Sequence, residues 1–315
     1  MSPEPKNPYF SIVAPFYNEV ESIGRLWEVL HDSLEALGKS YEVIFVDDGS
    51  RDGTREVMRR LAAQHPQLRI ILFRANFGQS AAMAAGFEAT RGDIVVAMDG
   101  DLQNDPRDIG RMVAMVEQGY DVVSGWRKNR QDKVISRKIP SKIANRIICS
   151  VTDVKLHDTG CSLKAFRGEL LRRIALYGEF HRFIPALLRM EGAQIAELPV
   201  QHHARMFGTS KYNITRTFRV IMDLTTIRLL MKHLHNPLSF FGTFSLLTGL
   251  GGAVTAGIAL HQAAQTAPDV NTVNVSITMT VLLWSAAFMF MSLGLVGKLI
   301  VSSGERRSFS IDDKD

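Results

Sequence analysis

The sequence has few cysteines, and long stretches of it carry no charge. Only two of its 315 residues are cysteine, Cys149 and Cys161. This excludes a disulfide scaffold and indicates free thiols in a reducing compartment. No charged residue occurs in 238–260 or in 275–297, and a helix of about 20 apolar residues crosses the hydrocarbon core of a bilayer. We therefore predict two transmembrane helices, at about 238–260 and 275–297, after a charged domain.

The distribution of lysine and arginine predicts the orientation of these helices. The connecting segment 261–274 contains neither residue. Cations instead flank the pair: Arg216, Arg219, Arg228 and Lys232 before it, and Lys298, Arg306 and Arg307 after it. By the positive-inside rule both ends face the cytoplasm. The first eight residues lack the apolar core of a secretory signal, so the large domain is expected in the cytoplasm.

We expect four regions along the chain. They are a cytoplasmic domain at 1–212, a juxtamembrane amphipathic region at 213–236, the two transmembrane helices within 237–301, and a cytoplasmic tail at 302–315. Small residues in the first predicted span would permit close helix packing, including in a homo-oligomer. They are Gly249, Gly251, Gly252, Ala253 and Gly257.

The formal net charge is +5, and the basic residues cluster next to the predicted anchor. This favours anionic membrane lipid or phosphate ligands and argues against nucleic acid as a partner. Two segments, 127–148 and 213–235, intersperse apolar and basic residues, which is typical of helices lying in the lipid headgroup plane. The alternative is that these segments pack against the core or a partner subunit.

Before residue 120, short β-branched runs alternate with segments of helical periodicity. The predicted strands are Phe10–Pro15, Tyr41–Val46, Leu68–Phe73 and Ile94–Met98. The predicted helices lie near Val20–Leu37, Thr54–Gln64, Gln79–Thr90 and Arg107–Gln118. This alternation predicts an α/β fold with a mostly parallel sheet and helices on both faces. The chain lacks G-x-G-x-x-G and G-x-x-x-x-G-K-[ST] motifs, which argues against a Rossmann dehydrogenase and a P-loop nucleotidase.

Polar turns follow all four strands, and such turns meet at the edge of a parallel sheet where ligands bind. They span residues 15–19, 47–50, 76–78 and 99–103. In the last turn, Asp99 and Asp101 flank Gly100. A divalent cation would relieve the repulsion between the two carboxylates and could bridge to a diphosphate, with Gln103 as a further oxygen ligand. A solvated acidic turn is the alternative.

These turns, together with Arg205-x-x-Gly208-x-Ser210-Lys211-Tyr212, resemble the motifs of glycosyltransferase family 2. The closest resemblance is to its polyisoprenyl-phosphate glycosyltransferases, which include dolichol-phosphate mannose synthases and bactoprenol glucosyltransferases. The resemblance implies a GT-A fold, a nucleotide-sugar donor, and Mg²⁺ or Mn²⁺ as cofactor. It also implies transfer of the sugar, with inversion, to polyprenyl phosphate at a bacterial inner membrane. The two-span anchor favours a UDP-sugar over a GDP-sugar.

The resemblance also suggests which residues form the site. Donor-binding residues would be Pro15, Tyr17, Glu19, Asp47, Asp48, Asn76, Gly78, Asp99, Gly100 and Arg127. Asp101 and Gln103 would hold the metal. The catalytic residues would be Asp101, Asp158, Arg205 and Lys211, and candidates for binding the acceptor phosphate are Arg127, Glu179, Arg182 and Ser210. The family often has a smaller residue than Trp126 before the arginine of this motif.

Asp158 and three histidines have alternative interpretations. Asp158 either orients the acceptor phosphate or removes its last proton, but it could equally cap the following turn. His181, His202 and His203 could ligate a metal, although a polar loop and a strand end explain them more simply.

Two other functions compete with the transferase hypothesis. A processive polysaccharide synthase would carry a Q-x-x-R-W motif, which is absent. A catalytically inert, nucleotide-binding membrane adaptor would not need Asp99, Asp101 and Gln103. The sequence does not determine the donor sugar.

Overall fold

A computed structural model describes residues 7–128, 149, 154–174, 180–204, 237–265 and 269–304. The chain divides into two compact units, residues 1–227 and 228–315. Several predicted features lie outside the described residues. They are Glu179, Arg205, Ser210 and Lys211, the juxtamembrane region 213–236, and nearly all of the basic segment 127–148.

The described part of the first unit contains a seven-stranded sheet in the order β3-β2-β1-β4-β6-β5-β7. The strands are β1 Phe10–Phe16, β2 Tyr41–Asp47, β3 Leu68–Leu72, β4 Ile94–Ala97, β5 Val122–Trp126, β6 Lys164–Arg167 and β7 Ile195–Pro199. Strands β1 to β4 are parallel to their neighbours among themselves, and β5 is parallel to β7. Strand β6 runs antiparallel between β4 and β5. The predicted α/β fold with a mostly parallel sheet is confirmed.

Helices connect the strands of this unit. They are α1 Val20–Glu35, α2 Thr54–Gln64, α3 Gln79–Glu88, α4 Ile109–Glu117, α5 Gly168–Leu171 and α6 Ile184–Met190, with 3₁₀ turns at Pro106–Asp108 and Phe180–Arg182. Helix α1 forms where Ile23, Leu26 and Leu30 recur every three or four residues, and all three side chains are fully buried. Helix α3 lies very close to the sheet at Gly86, where a Cβ atom would be 2.3 Å from Val13 Cγ1.

The sheet separates two hydrophobic cores. Alternate residues of β1 point to opposite faces, because side chains alternate along a strand. Phe10 and Ile12 belong to one buried cluster, together with residues of α1 and α4, whereas Val13 belongs to the other, with residues of α3. Packing on both faces fixes the register of the central strands, and therefore the positions at which their carboxyl ends meet.

The second unit contains two long helices, α7 Pro237–Ala263 and α8 Val270–Gly304. Both are long and apolar enough to cross a membrane, and most of their large apolar side chains are exposed. Polar contacts join the pair. Ser245 Oγ donates to the Ala287 carbonyl at 2.8 Å, and Trp284 Nε1 donates to the Gly249 carbonyl at 3.3 Å. The two helices agree with the two predicted spans.

Candidate active site

The four predicted turns meet at the carboxyl-terminal edge of the sheet. The first two turns are joined by Asn18, whose backbone N–H donates to Ser50 Oγ and whose Oδ1 accepts from the Arg51 N–H, both at 2.9 Å. The first and fourth turns are joined by Ser22 Oγ, which donates to the Gly100 carbonyl at 3.0 Å. Gly100 has no room for a side chain, since a Cβ atom there would lie 2.4 Å from Phe16 Cε1.

Three of the predicted donor-binding residues, Pro15, Tyr17 and Glu19, lie on the first turn. Pro15 pairs with Val46 across β1 and β2. Tyr17, two residues further on, has 36% of its surface exposed, and the carboxylate of Glu19 accepts from Ser22 Oγ at 3.2 Å. An exposed aromatic ring at a sheet edge can stack on a base.

The carboxylates of Asp47 and Asp48 are both hydrogen-bonded to other groups of the protein. Asp47 is fully buried, and its Oδ2 accepts from Arg55 Nε at 2.6 Å. Asp48 accepts from the backbone N–H of Phe77 at 2.7 Å and of Gly78 at 2.9 Å, and from Asn76 Nδ2 at 2.9 Å. Burial raises the pKa of the Asp48 carboxyl, although these backbone N–H groups oppose the rise. Within the described residues, Asp48 thus anchors the Asn76–Gly78 turn.

Asp99 and Asp101 lie in the turn after β4. Asp99 Oδ1 accepts from Gln79 Nε2 at 2.7 Å, and Asp101 Oδ1 accepts from the Gln103 backbone N–H at 3.1 Å. Burial, and after it the charge of Asp101, raises the pKa of Asp99. Leu102 closes the turn in the left-handed region, with φ of 59°, a conformation that costs an L-residue roughly 1–2 kcal/mol.

This turn fits a divalent cation. Carboxylate and amide oxygens suit Mg²⁺ and Mn²⁺, and a cation would lower the energy of two charged carboxylates held in one turn. In the described part of the chain, no group of three or more His, Cys, Asp or Glu side chains could hold a metal ion. That is consistent with Mg²⁺ chemistry, in which one or two carboxylates act together with phosphate oxygens of the substrate.

Arg127 and Asp158 form a buried ion pair. Arg127 Nε and Nη2 donate to the two carboxylate oxygens of Asp158 at 2.7 Å and 2.9 Å. Burial lowers the pKa of Arg127, but the Asp158 carboxylate outweighs it and holds this pKa above its ordinary value. Two of the five guanidinium N–H bonds are used in this pair, which leaves three for other acceptors.

Lys164 is a buried cation of this region that the sequence analysis did not identify. Only 4% of its surface is exposed, and its Nζ donates to the carbonyls of Thr159 and Cys161. Burial lowers the pKa of Lys164. A buried lysine is rare unless it is paired, and a lysine on a short strand with no flanking motif gives no signal in sequence.

The predicted acceptor candidate Arg182 lies in the 3₁₀ turn Phe180–Arg182. Its neighbour His181 is 8% exposed, and His181 Nδ1 lies 2.7 Å from Ser80 Oγ. Ser80 follows Gln79, the residue that contacts Asp99. The backbone and side chain of α3 therefore connect this 3₁₀ turn to the acidic turn.

His202 and His203 make contacts that hold the backbone together near the acidic turn. His203 Nε2 lies 3.1 Å from Asp105 Oδ2, and the His203 backbone N–H donates to the Gln103 carbonyl at 2.8 Å. His202 pairs with Asn104 in an isolated β-bridge. These contacts attach the strand end after β7 to the acidic turn, which supports the simpler interpretation of both residues.

Two curated proteins resemble this chain over most of its length. Dodecaprenyl-phosphate galacturonate synthase from Rhizobium johnstonii is 46% identical over 245 residues, covering 76% of this chain and 72% of the relative. Undecaprenyl-phosphate 4-deoxy-4-formamido-L-arabinose transferase from Edwardsiella ictaluri is 34% identical over 294 residues, covering 93% and 88%.

Solved structures show the same fold at low identity. Mannosyl-3-phosphoglycerate synthase from Rubrobacter xylanophilus superposes with a TM-score of 0.53 at 18% identity, covering 70% of this chain and 74% of that one. Glucosyl-3-phosphoglycerate synthase from Mycobacterium tuberculosis, in complex with Mn²⁺ and UDP-glucose, gives 0.52 at 19% identity, covering 71% and 79%. The predicted GT-A fold is therefore confirmed.

The family model described as "Glycosyl transferase family 2" matches residues 11–175. This range includes all four polar turns and Asp158. Together with two curated polyprenyl-phosphate glycosyltransferases as relatives, this match confirms the resemblance seen in the sequence: the chain belongs to glycosyl transferase family 2.

Proposed function

We propose that this glycosyltransferase moves a sugar from a UDP-sugar to the phosphate of a polyprenyl lipid, with inversion at the anomeric carbon. The observation that carries the proposal is the meeting of the four polar turns at one sheet edge, in a chain whose polyprenyl-phosphate relative aligns over 93% of its length. The buried Arg127 adds a guanidinium suited to binding phosphate oxygens.

For the donor sugar we propose a uronic acid, with galacturonate as the first candidate. The relative with 46% identity is a galacturonate synthase, and the relative with 34% identity transfers a formamido-arabinose. The higher identity favours the first sugar. Glucose and N-acetylhexosamines, which the sequence left open, belong in the same test.

The chemistry requires little proton transfer. A prenyl phosphate has its second pKa near 6, by analogy with phosphoserine, so the acceptor oxygen is already charged at neutral pH. This oxygen attacks the anomeric carbon from the face opposite to the nucleotide, and the bond from that carbon to the diphosphate oxygen breaks. The diphosphate leaves with the electron pair of the broken bond, which inverts the configuration.

The protein would contribute position and positive charge to this displacement. Asp101 and Gln103 would hold Mg²⁺ or Mn²⁺, which when bound neutralises charge on the diphosphate. The remaining N–H groups of Arg127 would donate to the diphosphate, and Arg205 and Lys211 would bind phosphate oxygens of either substrate. Tyr17 would lie against the base.

We further propose that α7 and α8 anchor the enzyme in a bacterial inner membrane with both termini in the cytoplasm. Two apolar helices of sufficient length and relatives that act on membrane lipids support this location. Contacts with anionic lipid and assembly into a homo-oligomer stay predictions of the sequence.

The test is a transfer assay in detergent. Purified protein is incubated with polyprenyl phosphate, Mg²⁺ or Mn²⁺, and a panel of UDP- and GDP-sugars, and sugar appearing in the lipid fraction is measured. We expect transfer from UDP-galacturonate and its loss on addition of a chelator. Transfer from another donor would correct the sugar alone. Nucleotide binding without lipid product from any donor would contradict the proposal and favour the inert adaptor.

A further inference from the structure

Arg127 is held at a defined position by Asp158, and Asp158 lies on a segment without regular secondary structure. Both side chains are largely buried, with 13% and 11% of their surfaces exposed. Gly160 leaves room for the guanidinium, because a Cβ atom there would lie 3.4 Å from Arg127 Nη2. The direction of the remaining N–H groups of Arg127 therefore depends on where the backbone places Asp158.

Glu197 determines that placement. One of its carboxylate oxygens, Oε1, accepts from the backbone N–H of His157 at 2.7 Å and of Asp158 at 3.3 Å. The other, Oε2, lies 2.7 Å from His157 Nδ1. Because an ionised carboxylate only accepts hydrogen bonds, Nδ1 carries the proton in this contact. A single side chain thus binds two consecutive backbone groups and one ring.

Glu197 is itself fixed by the sheet. It lies in β7, where it pairs with Ser124 of β5, the strand that ends one residue before Arg127. Only 13% of its side chain is exposed. The paired strands β5 and β7 therefore position both residues of the ion pair. Arg127 follows β5 directly in the chain, and Asp158 is bound by Glu197 of β7.

Trp126 supports the same arrangement from a second direction. Its ring stacks on His157, with ring centroids 4.4 Å apart and an interplanar angle of 21°. This is the position at which the family often has a smaller residue. In this chain the large ring holds the imidazole that Glu197 also binds.

We propose that Glu197 is a positioning residue, which fixes Arg127 for the donor diphosphate through the backbone of His157–Asp158. The diphosphate contact rests on the proposed function, whereas the positioning does not. The proposal also gives Asp158 one role. Since both of its oxygens accept from Arg127, that role is to hold the guanidinium.

Two variants of Glu197 test this inference. Glu197→Gln keeps an oxygen that can accept from both backbone N–H groups, whereas Glu197→Leu removes it at similar size. A misplacement of about 1 Å costs roughly 100-fold in rate, so we expect kcat/KM for the donor to fall by about that factor in Glu197→Leu. In Glu197→Gln it should stay within about threefold of wild type.

Nuclear magnetic resonance of ¹⁵N-arginine-labelled protein gives a readout that does not need turnover. The Nε–H signal of Arg127, assigned by its absence in Arg127→Lys, should be protected from exchange with water in wild type and in Glu197→Gln. It should lose this protection in Glu197→Leu.

Glu42 provides a matched control. It is a buried strand glutamate that accepts from Ser11 Oγ and from the Arg91 backbone N–H, both at 2.7 Å. It lies near the opposite end of the strands, since it pairs with Ser11 near the start of β1. Glu42→Leu should lower the Tm but leave the Arg127 signal unchanged, which separates loss of stability from loss of position.

The inference is overturned if Glu197→Leu keeps the Arg127 signal protected, or if Glu197→Gln loses protection to the same extent as Glu197→Leu. If wild type transfers no sugar from any donor, the proposed function fails but the exchange measurement still decides the positioning. Should Glu197→Leu not fold, Glu197→Gln remains decisive, because loss of the protected Arg127 signal in that folded variant would reject the backbone anchor.

Discussion

Two acidic motifs lie side by side at the sheet edge, and they differ in what stabilises their charges. In the first, Arg55 neutralises Asp47 and backbone N–H groups bind Asp48. In the second, Asp99 accepts a hydrogen bond from the neutral side chain of Gln79. Burial and the charge of Asp101 raise the pKa of Asp99. The first motif therefore builds the loops. In the second, the charges of Arg127 and Lys164 oppose the rise in the pKa of Asp99 without cancelling it, so the acidic turn would still gain from a further cation.

The largest expected effect tests the second motif. Asp101→Asn removes one negative charge from the proposed metal ligands and should lower the transfer rate by at least roughly 100-fold, as loss of a central electrostatic contact does. The Tm should change little, because the substitution relieves repulsion with Asp99. Initial rates and thermal unfolding measure the two quantities. A near-normal rate would remove Asp101 from the proposed metal site.

The next effect tests the first motif. Asp47→Ala leaves the Arg55 guanidinium without its carboxylate and should destabilise the first unit by about 3 kcal/mol, the lower end for a broken buried ion pair. Thermal unfolding measures this loss. The double variant with Arg55→Ala should recover part of the stability. If Asp47→Ala unfolds at the wild-type temperature but no longer binds nucleotide, Asp47 belongs to the ligand site instead.

A smaller effect is expected at Gln79, which connects α3 to the acidic turn. Gln79→Leu removes a hydrogen bond to a carboxylate, which contributes roughly 1.5–3 kcal/mol, and should lower kcat/KM by about tenfold. Gln79→Asn has a shorter side chain, and its kcat/KM should lie between those of Gln79→Leu and wild type. The comparison uses donor saturation curves. Unchanged kinetics in Gln79→Leu would show that Asp99 does not need this contact.

The smallest effect concerns Asp52, which follows the first motif. Asp52 accepts from the backbone N–H groups of Thr54 and Val20, both at 3.1 Å. Partial burial raises the pKa of Asp52, but these hydrogen bonds and that of the Thr54 hydroxyl outweigh burial and lower it below its ordinary value. Its contribution is therefore complete above the unfolded pKa of 3.8 and is lost as pH falls through the lower folded pKa.

Asp52→Ala should cost about 1 kcal/mol at neutral pH, as for loss of a helix cap. The difference from wild type should shrink as the solution is acidified below the unfolded pKa. Thermal unfolding at several pH values measures it, and Asp52→Asn is the uncharged control. A difference that does not depend on pH would contradict the role of the charge.

Much of the fold could be predicted from sequence because local patterns determine it. The runs of β-branched residues gave strands that agree with β1 to β4 to within one residue at each end, and α2 has the predicted bounds. Strands β5, β6 and β7 were not predicted, and β6 was the hardest of the three to foresee. It enters the sheet antiparallel between β4 and β5 after a long intervening segment, and nothing in its four residues indicates that position.

The site was less predictable, because its contacts join residues distant in sequence. The carboxylates of Asp47 and Asp101 look alike in their motifs, and only their partners distinguish them. Glu197 and His157 are separated by 40 positions, so neither residue carries a local signal. A mostly buried glutamate in the middle of β7 could have been noticed only as an acidic residue in an otherwise apolar run.

Leu102 links catalysis to the cost of folding. Its left-handed backbone directs the Gln103 N–H toward the Asp101 carboxylate. Its side chain belongs to the hydrophobic core and is only 7% exposed. Glycine would adopt this backbone freely but would give up the buried side chain, which contributes about 1.5–3 kcal/mol. Engineering for heat resistance therefore has no simple gain at this position, since relieving the backbone also loosens the turn that carries the acidic pair.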